Sequence, residues 1–157
     1  MKFEKILGHT LLKEKLANTI LNSRVSHSQL FFGPEGNGAL PLAIAYAQML
    51  LCDNPQESDS CGECTSCKQV TSFNYPDLHF VFPISKIKNG PKEPLSIHFI
   101  NDWKDLVSSD QYFGLFQWLD KIGVANTQAA IRVKESSEIN HALSLKSYSG
   151  KEKILIL

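Results

Sequence analysis

The sequence lacks a net charge, a long apolar run and an internal repeat, and these absences exclude several classes of protein. It carries 16 basic and 16 acidic side chains, so it has no overall basic field that would attract nucleic acid. No stretch approaches the about eighteen consecutive apolar residues of a membrane-spanning helix. The opening "MKFEKILGHT" mixes charges into its apolar run and contains no small-residue cleavage site, so we expect no secretory signal.

The residues that are present suit one globular domain. The chain has 157 residues, of which 43% are hydrophobic and 20% charged, which is enough to bury a sizeable core. Without a secretory signal, the four cysteines are expected to lie in the reducing cytoplasm, where disulfides rarely persist. We therefore interpret them as thiols.

Short apolar runs typical of strands alternate with segments of helical periodicity. Thr10 is a candidate N-cap for the first helix, and Pro41 lies in the first turn of the second, where its missing N–H costs little. In the last helix, Ile139, Ala142 and Leu143 share one face. Predicted strands lie at 28–32, 77–83 and 153–157, the last of them buried, and predicted helices at 9–23, 40–51, 102–108, 115–122 and 135–147. This alternation predicts an α/β domain with a mostly parallel sheet.

The middle of the chain carries several aromatic residues. Residues 84–99 are rich in proline and are predicted to form an irregular connection. The two helices that follow place four aromatic side chains in or beside them, namely Trp103, Phe113, Phe116 and Trp118. We interpret these side chains as packing residues and not as a platform for stacking nucleic-acid bases.

The glycine-rich loop after the first predicted strand resembles a phosphate-binding loop in outline. That pattern has Gly, four residues, Gly, Lys, then Ser or Thr. Gly33 and Gly38 hold the glycine positions, but Ala39 replaces the lysine and Leu40 replaces the hydroxyl residue. Backbone N–H groups could still face an anion, yet no ammonium for the phosphates and no hydroxyl for Mg²⁺ is present. We therefore predict a degenerate loop without ATP hydrolysis, formed by Gly33, Pro34, Glu35, Gly36, Asn37, Gly38, Ala39 and Leu40. The alternative is a simple strand-to-helix turn.

All four cysteines of the chain lie close together after the second helix. Cys52, Cys61, Cys64 and Cys67 give the spacing C-x8-C-x2-C-x2-C. Four thiolates fit a closed, tetrahedral structural zinc site, which leaves no ligand position for a catalytic water. A redox pair, an iron–sulfur cluster and four unrelated cysteines are the alternatives, although a redox pair would not need Cys52.

Together these features resemble one family. A helix followed by "SHSQLFFGPEGNGALPLAIAYAQMLLC", "CGECTSCKQV" and "YPDLHFVFP" is similar to the N-terminal part of the delta-prime subunits of the bacterial DNA polymerase III clamp loader. The resemblance covers about residues 1–82 and resumes at "IRVKESSEINHALSLKSYSGKEKILIL", whereas 83–125 is interpreted as an insertion. The glycine loop alone is not specific, but the loop combined with the cysteine cluster directly after its helix is specific.

The resemblance implies an α/β fold of the AAA+ class, a three-layer αβα domain with a parallel P-loop-type sheet, here incomplete and with a small zinc-binding insertion at 53–67. It implies a stator-like subunit that is no enzyme on its own but a component of the DNA polymerase III holoenzyme. It also implies structural zinc on the four cysteines and no functional ATP site. The implied partners are the ATPase and clamp-opening subunits, and, through the complex, primed DNA and the sliding clamp.

The resemblance also predicts an incomplete sheet. In the family's strand order 5-1-4-3-2, the strands present are strand 1 at about 28–32, strand 2 at about 78–82 and strand 3 at 153–157. Strands 4 and 5, the Walker B acids, the arginine finger, the lid and the collar would lie beyond Leu157, so we expect the chain to be an N-terminal fragment. Because unpaired strand edges invite association, we expect self-association or a rearranged sheet.

Two other functions are alternatives to this one. An active AAA+ ATPase paralogue of the clamp loader would need Lys at position 39 and Ser or Thr at position 40. An unrelated zinc-stabilised nucleic-acid-binding domain would need basic residues around the cysteines. There Lys68 is outnumbered by acidic residues, namely Asp53, Glu57, Asp59 and Glu63.

Overall fold

In the computed structural model, which describes residues 1–87, 90–125 and 127–157, the chain divides into two units, Met1–Leu78 and His79–Leu157. The elements of the first unit are a 3-10 turn at Phe3–Lys5 and the helices α1 (Thr10–Leu21), α2 (Ala39–Leu51) and α3 (Thr65–Thr71). The second unit contains a 3-10 turn at Ser96–Phe99 and the helices α4 (Ile100–Ser109), α5 (Leu115–Lys121) and α6 (Val133–Ser144). Strand β1 (Leu78–Phe80) starts on the last residue of the first unit, and β2 (Ile154–Ile156) follows α6. None of the helices in the described ranges is long and apolar enough to cross a membrane.

Helix α2 is the centre of the first unit. Nine of its 13 residues are buried, as expected of a helix that is apolar on nearly every side. It packs on α1 and on the N-terminal turn in a core formed by Phe3, Ile6, Leu16, Ala17, Leu42, Ala45, Tyr46 and Met49. The predicted position of Pro41 in the first turn of α2 is confirmed. The predicted cap is wrong: Thr10 is the first helical residue of α1, and His9, with φ 57°, is the N-cap without a side-chain capping bond.

The predicted strand at 28–32 does not form. Its residues join no sheet among the described residues, and the side chains of Leu30 and Phe32 are 87% and 91% exposed. The segment is held instead by Tyr46, whose hydroxyl accepts a hydrogen bond from Gln29 Nε2 at 2.9 Å and whose ring lies 6.4 Å from that of Phe31. Apolar residues alone do not make a strand, because a strand also needs a neighbour for its backbone groups.

The only sheet of the described residues is a two-stranded parallel sheet in which β1 pairs with β2. The backbone N–H of Val81 continues this ladder by donating to the carbonyl of Ile156 at 2.9 Å. The predicted strands at 77–83 and 153–157 are therefore confirmed. Strand β2 is half-buried, however, and not buried as predicted. Helices combined with a small parallel sheet agree with an incomplete α/β fold. The described residues do not form the complete parallel sheet of a three-layer αβα domain.

Aromatic side chains form the core of the second unit. The ring of Phe82 stacks on Trp103 at 4.4 Å between centroids and meets Trp118 edge-on at 4.7 Å, and Phe113 meets Trp103 at 5.1 Å. The indole N–H of Trp118 also donates to the carbonyl of Pro83 at 2.8 Å. The packing interpretation is thus confirmed for Trp103, Phe113 and Trp118. It is wrong for Phe116, which is 62% exposed.

Polar contacts tie the connection after β1 to α6. The backbone N–H of Ser96 donates to Glu135 Oε2 at 2.9 Å, and the Ser96 hydroxyl donates to the carbonyl of Phe82 at 3.2 Å. The connection 84–99 is irregular, as predicted, up to its final 3-10 turn, and its residues 88 and 89 lie outside the described residues. On the predicted face of α6, Ile139 and Ala142 are half-buried, but Leu143 is exposed.

Candidate metal centre and glycine loop

The four cysteine sulfurs form one cluster. All four lie within 4.8 Å of one another, with Sγ–Sγ distances of 3.5 Å for Cys52–Cys61, 4.0 Å for Cys52–Cys64 and 3.9 Å for Cys61–Cys67. A tetrahedron of sulfurs about 2.3 Å from a zinc ion has edges of about 3.8 Å, whereas the sulfurs of a disulfide are about 2.05 Å apart. The spacing therefore fits four thiolates around one metal ion and does not fit a disulfide.

The ends of two helices and a tight turn place these sulfurs. Cys52 follows the last residue of α2 in extended conformation, so its side chain leaves the helix end. Cys64 is the N-cap of α3, and Cys67 lies in the first turn of that helix. Between Cys61 and Cys64 the chain reverses at Gly62, whose φ of 80° is a conformation that side chains with a Cβ rarely adopt.

Backbone N–H groups point at several of the sulfurs. Cys52 Sγ accepts from the N–H of Cys61 at 3.4 Å, and Cys64 Sγ accepts from those of Asp53 at 3.5 Å and Cys67 at 3.4 Å. Such donors favour the thiolate form that a metal ion binds. A metal ligand held in this way has its orientation fixed before the ion arrives.

The thiols of the cluster differ in acidity. The N–H of Cys64, which lies 3.5 Å from Cys61 Sγ, is the main cause that lowers the pKa of the Cys61 thiol to about 6. Burial raises the pKa of Cys52 and of Cys67. A divalent cation among the four sulfurs would supply the positive charge that the two buried thiolates need.

The glycine loop at the other end of α2 is closed by its own side chain. Asn37 Oδ1 accepts a hydrogen bond from the N–H of Ala39 at 3.0 Å, the position at which a helix N-terminus offers donors to an anion. The Asn37 amide also covers Gly33 so closely that a Cβ atom there would lie 1.6 Å from Nδ2. On the outside, His9 Nε2 hydrogen-bonds to the Asn37 carbonyl oxygen at 2.7 Å.

The structure thus brings the four predicted ligands together, and it gives the predicted loop no cation of its own. Within 33–40 the only charged residue is Glu35, and Ala39 and Leu40 are half-buried. The sequence places Asn37 in the loop without revealing its contact to Ala39, and it shows Asp59 only as one of the acidic residues near the cysteines, whereas in the structure Asp59 is a buried carboxylate inside the cysteine loop. The signal for Asn37 was an amide residue just before a helix start, a position that such residues favour. The signal for Asp59 was weaker, because an acidic residue in a polar loop is ordinarily solvated.

Comparison with known proteins identifies relatives for this chain. The family model described as "DNA polymerase III, delta subunit" matches residues 8–157. The chain is 40% identical over 68 residues to DNA polymerase III subunit delta' of Bacillus subtilis (strain 168), covering 43% of this chain and 20% of that protein. It is 31% identical over 77 residues to DNA polymerase III subunit tau of the same organism, covering 49% of this chain and 14% of that protein.

A gamma subunit matches a longer part of the chain at lower identity. DNA polymerase III subunit gamma of Buchnera aphidicola subsp. Baizongia pistaciae (strain Bp) is 27% identical over 110 residues, which is 70% of this chain and 27% of that protein. The matches therefore span between 14% and 27% of the length of these relatives. No solved structure matches the chain.

Proposed function

Since this chain belongs to the clamp-loader family of DNA polymerase III subunits, we propose that it acts as a delta-prime-type, stator-like component of the complex that loads the sliding clamp onto primed DNA. In this proposal it catalyses no reaction on its own and works in the cytoplasm as part of the holoenzyme. Its partners are the ATPase and clamp-opening subunits, and it meets the clamp and DNA through the complex. Because the chain belongs to this family, we do not retain the alternative of an unrelated nucleic-acid-binding domain.

The composition of the glycine loop is the observation that carries the proposal. Phosphoryl transfer depends on positive charge at the transferred phosphate and on a hydroxyl ligand for Mg²⁺. Ala39 and Leu40 supply neither, and the Asn37 side chain occupies the N–H of Ala39. The loop leads into helix α2 and has the glycine spacing of a nucleotide-binding loop, but it lacks the side chains that handle phosphate and Mg²⁺. Such a loop suits a subunit that works beside ATPases.

The cysteine cluster has a structural role in the proposal. Cys52, Cys61, Cys64 and Cys67 bind one zinc ion, and sulfur–sulfur distances near those of a tetrahedron support this assignment. By binding cysteines at the end of α2 and at the start of α3, the zinc ion links the two helices. With four protein ligands, no coordination position is open to a substrate or a water.

One observation favours a second candidate, a tau- or gamma-type subunit. The gamma match covers 70% of the chain, against 43% for the Bacillus subtilis delta' match. If the protein acted as the ATPase subunit, it would hydrolyse ATP despite Ala39 and Leu40. The two candidates therefore differ in an activity that can be measured.

The test is ATP hydrolysis and clamp loading by the purified protein. We expect no hydrolysis by the protein alone with Mg²⁺ and ATP, while an ATPase of known activity, assayed in parallel, shows that hydrolysis would be detected. Added to the other loader subunits, the protein should restore clamp loading on primed DNA. Hydrolysis by the protein alone would favour the second candidate, and a complex that loads clamps equally well without it would contradict both.

A further inference from the structure

The loop between Cys52 and Cys61 contains a buried acidic residue, Asp59, which is not one of the four candidate metal ligands. Asp59 is only 9% exposed, and its two carboxylate oxygens accept the backbone N–H groups of Phe3 at 3.2 Å and Glu4 at 3.1 Å. The N–H of Ser60 donates to the same carboxylate at 2.7 Å. A carboxylate that is taken out of water remains stable only while such donors stay in place.

The path of this loop depends on the two cysteines at its ends. Residues 53–60 contain no helix or strand, so no backbone ladder fixes their conformation. Joining Cys52 and Cys61 through one metal ion closes the loop and removes most of its conformational freedom. Asp59 lies two residues before Cys61, and the hydroxyl of Ser60, between them, accepts a bond from the buried amide of Gln48 at 2.9 Å.

The segment that Asp59 holds belongs to the core of the first unit. Phe3 and Ile6, at either end of the N-terminal turn, are 2% and 3% exposed and pack with residues of α1 and α2. The turn at Gly62 lies beside the same segment, since a Cβ atom on Gly62 would lie 3.2 Å from Lys2 Cδ. The polypeptide from Asp59 to Gly62 therefore approaches the N-terminal segment at two places, and at Asp59 it holds that segment by hydrogen bonds.

We propose that Asp59 couples metal binding to the docking of the N-terminal turn: the metal closes the loop, the closed loop positions Asp59, and Asp59 holds the N–H groups of Phe3 and Glu4. This inference rests on the proposed zinc site but not on the proposed role in clamp loading. Asp59 is a positioning residue and does not touch the metal. Loss of the metal should release the turn, and loss of Asp59 should release the turn while the metal stays bound.

Hydrogen exchange with mass spectrometry measures the docking directly, and elemental analysis measures the metal. In the zinc-loaded protein, the peptide that spans residues 1–6 should be protected, and chelation should lower this protection by about tenfold or more, as expected when hydrogen bonds to a charged group are lost. Asp59→Ala should show the same loss with unchanged zinc content. Asp59→Asn, which keeps the shape and one acceptor, should lie between the two.

Glu57→Ala is the matched control, because it removes an equal charge from an exposed position in the same loop. Its exchange and zinc content should equal those of the unchanged protein, and exchange in α5 should be unaltered in every variant that folds. Protection that survives in zinc-loaded Asp59→Ala, or in the unchanged protein after zinc is removed, would overturn the coupling and leave the zinc site standing. A protein that binds no zinc at all would overturn the zinc site and the coupling together.

Discussion

The two ends of helix α2 carry two sites of opposite character. At its start, the glycine loop has the glycine spacing of a phosphate-binding loop but neither a lysine at position 39 nor a hydroxyl residue at position 40. At its end, Cys52 joins three other sulfurs at distances that fit a metal ion. The glycine spacing of the loop is present although the side chains that handle phosphate are not, whereas a metal site consists of its ligand side chains and is lost when one of them is replaced.

Among the changes that test this comparison, removal of the proposed zinc ion should have the largest effect. Structural zinc sites bind with apparent free energies of about 10 to 16 kcal/mol at neutral pH, so we expect chelation or Cys67→Ala to lower the free energy of unfolding of the first unit by about 5 kcal/mol or more. Circular dichroism during urea unfolding measures the loss of its helices. An unfolding curve that is unchanged after complete removal of the metal would show that the cluster does not stabilise the fold.

A variant that creates a cavity in the core of the second unit gives the comparison a control. Both tryptophans of the chain lie in that unit, so tryptophan fluorescence reports on it and not on the cysteine cluster. Trp118 is 1% exposed, and Trp118→Ala should lower the free energy of unfolding of this unit by about 3 to 5 kcal/mol through the lost packing. Fluorescence of Trp103 during urea unfolding measures the loss. Zinc content should stay constant, and a parallel loss of zinc would mean that the cluster depends on packing within the second unit.

Features with a local signal could be predicted from the sequence. Periodic apolar residues predicted α2, α4 and α5 closely, and the spacing of four cysteines predicted a cluster that the structure brings together. The strand at 28–32 was predicted wrongly because its pairing depends on residues far away in the sequence. The contacts of Asp59 with Phe3 and Glu4 have the same long-range origin, since 56 and 55 residues separate the partners.

A smaller effect is expected at the start of α2, where the loop depends on a positive backbone torsion angle at Gly38. Gly38 is the N-cap with φ 87°, so Gly38→Ala should lower the free energy of unfolding by about 1 to 2 kcal/mol, because a Cβ atom is strained in this region. Gly38→Asn is the matched variant, since asparagine tolerates the left-handed conformation better, and it should cost less. Urea unfolding followed by circular dichroism compares them. Equal losses for the two variants would mean that space, and not the torsion angle, requires glycine here.

The smallest expected effect is that of ATP on the unchanged protein, which should be none. A ligand at 100 times its dissociation constant stabilises a protein by about 2.7 kcal/mol, so millimolar ATP with Mg²⁺ would shift thermal unfolding measurably if the loop bound it. We expect such a shift only in the double variant Ala39→Lys, Leu40→Thr. In this variant Asn37 must release the backbone N–H of residue 39, which costs one hydrogen bond of about 1 kcal/mol. The new ammonium group gains stronger charge-assisted hydrogen bonds to phosphate. A shift in the unchanged protein would mean that the loop still binds ATP. No shift in the folded double variant would mean that the backbone conformation of the loop, and not only the side chains at positions 39 and 40, prevents ATP binding.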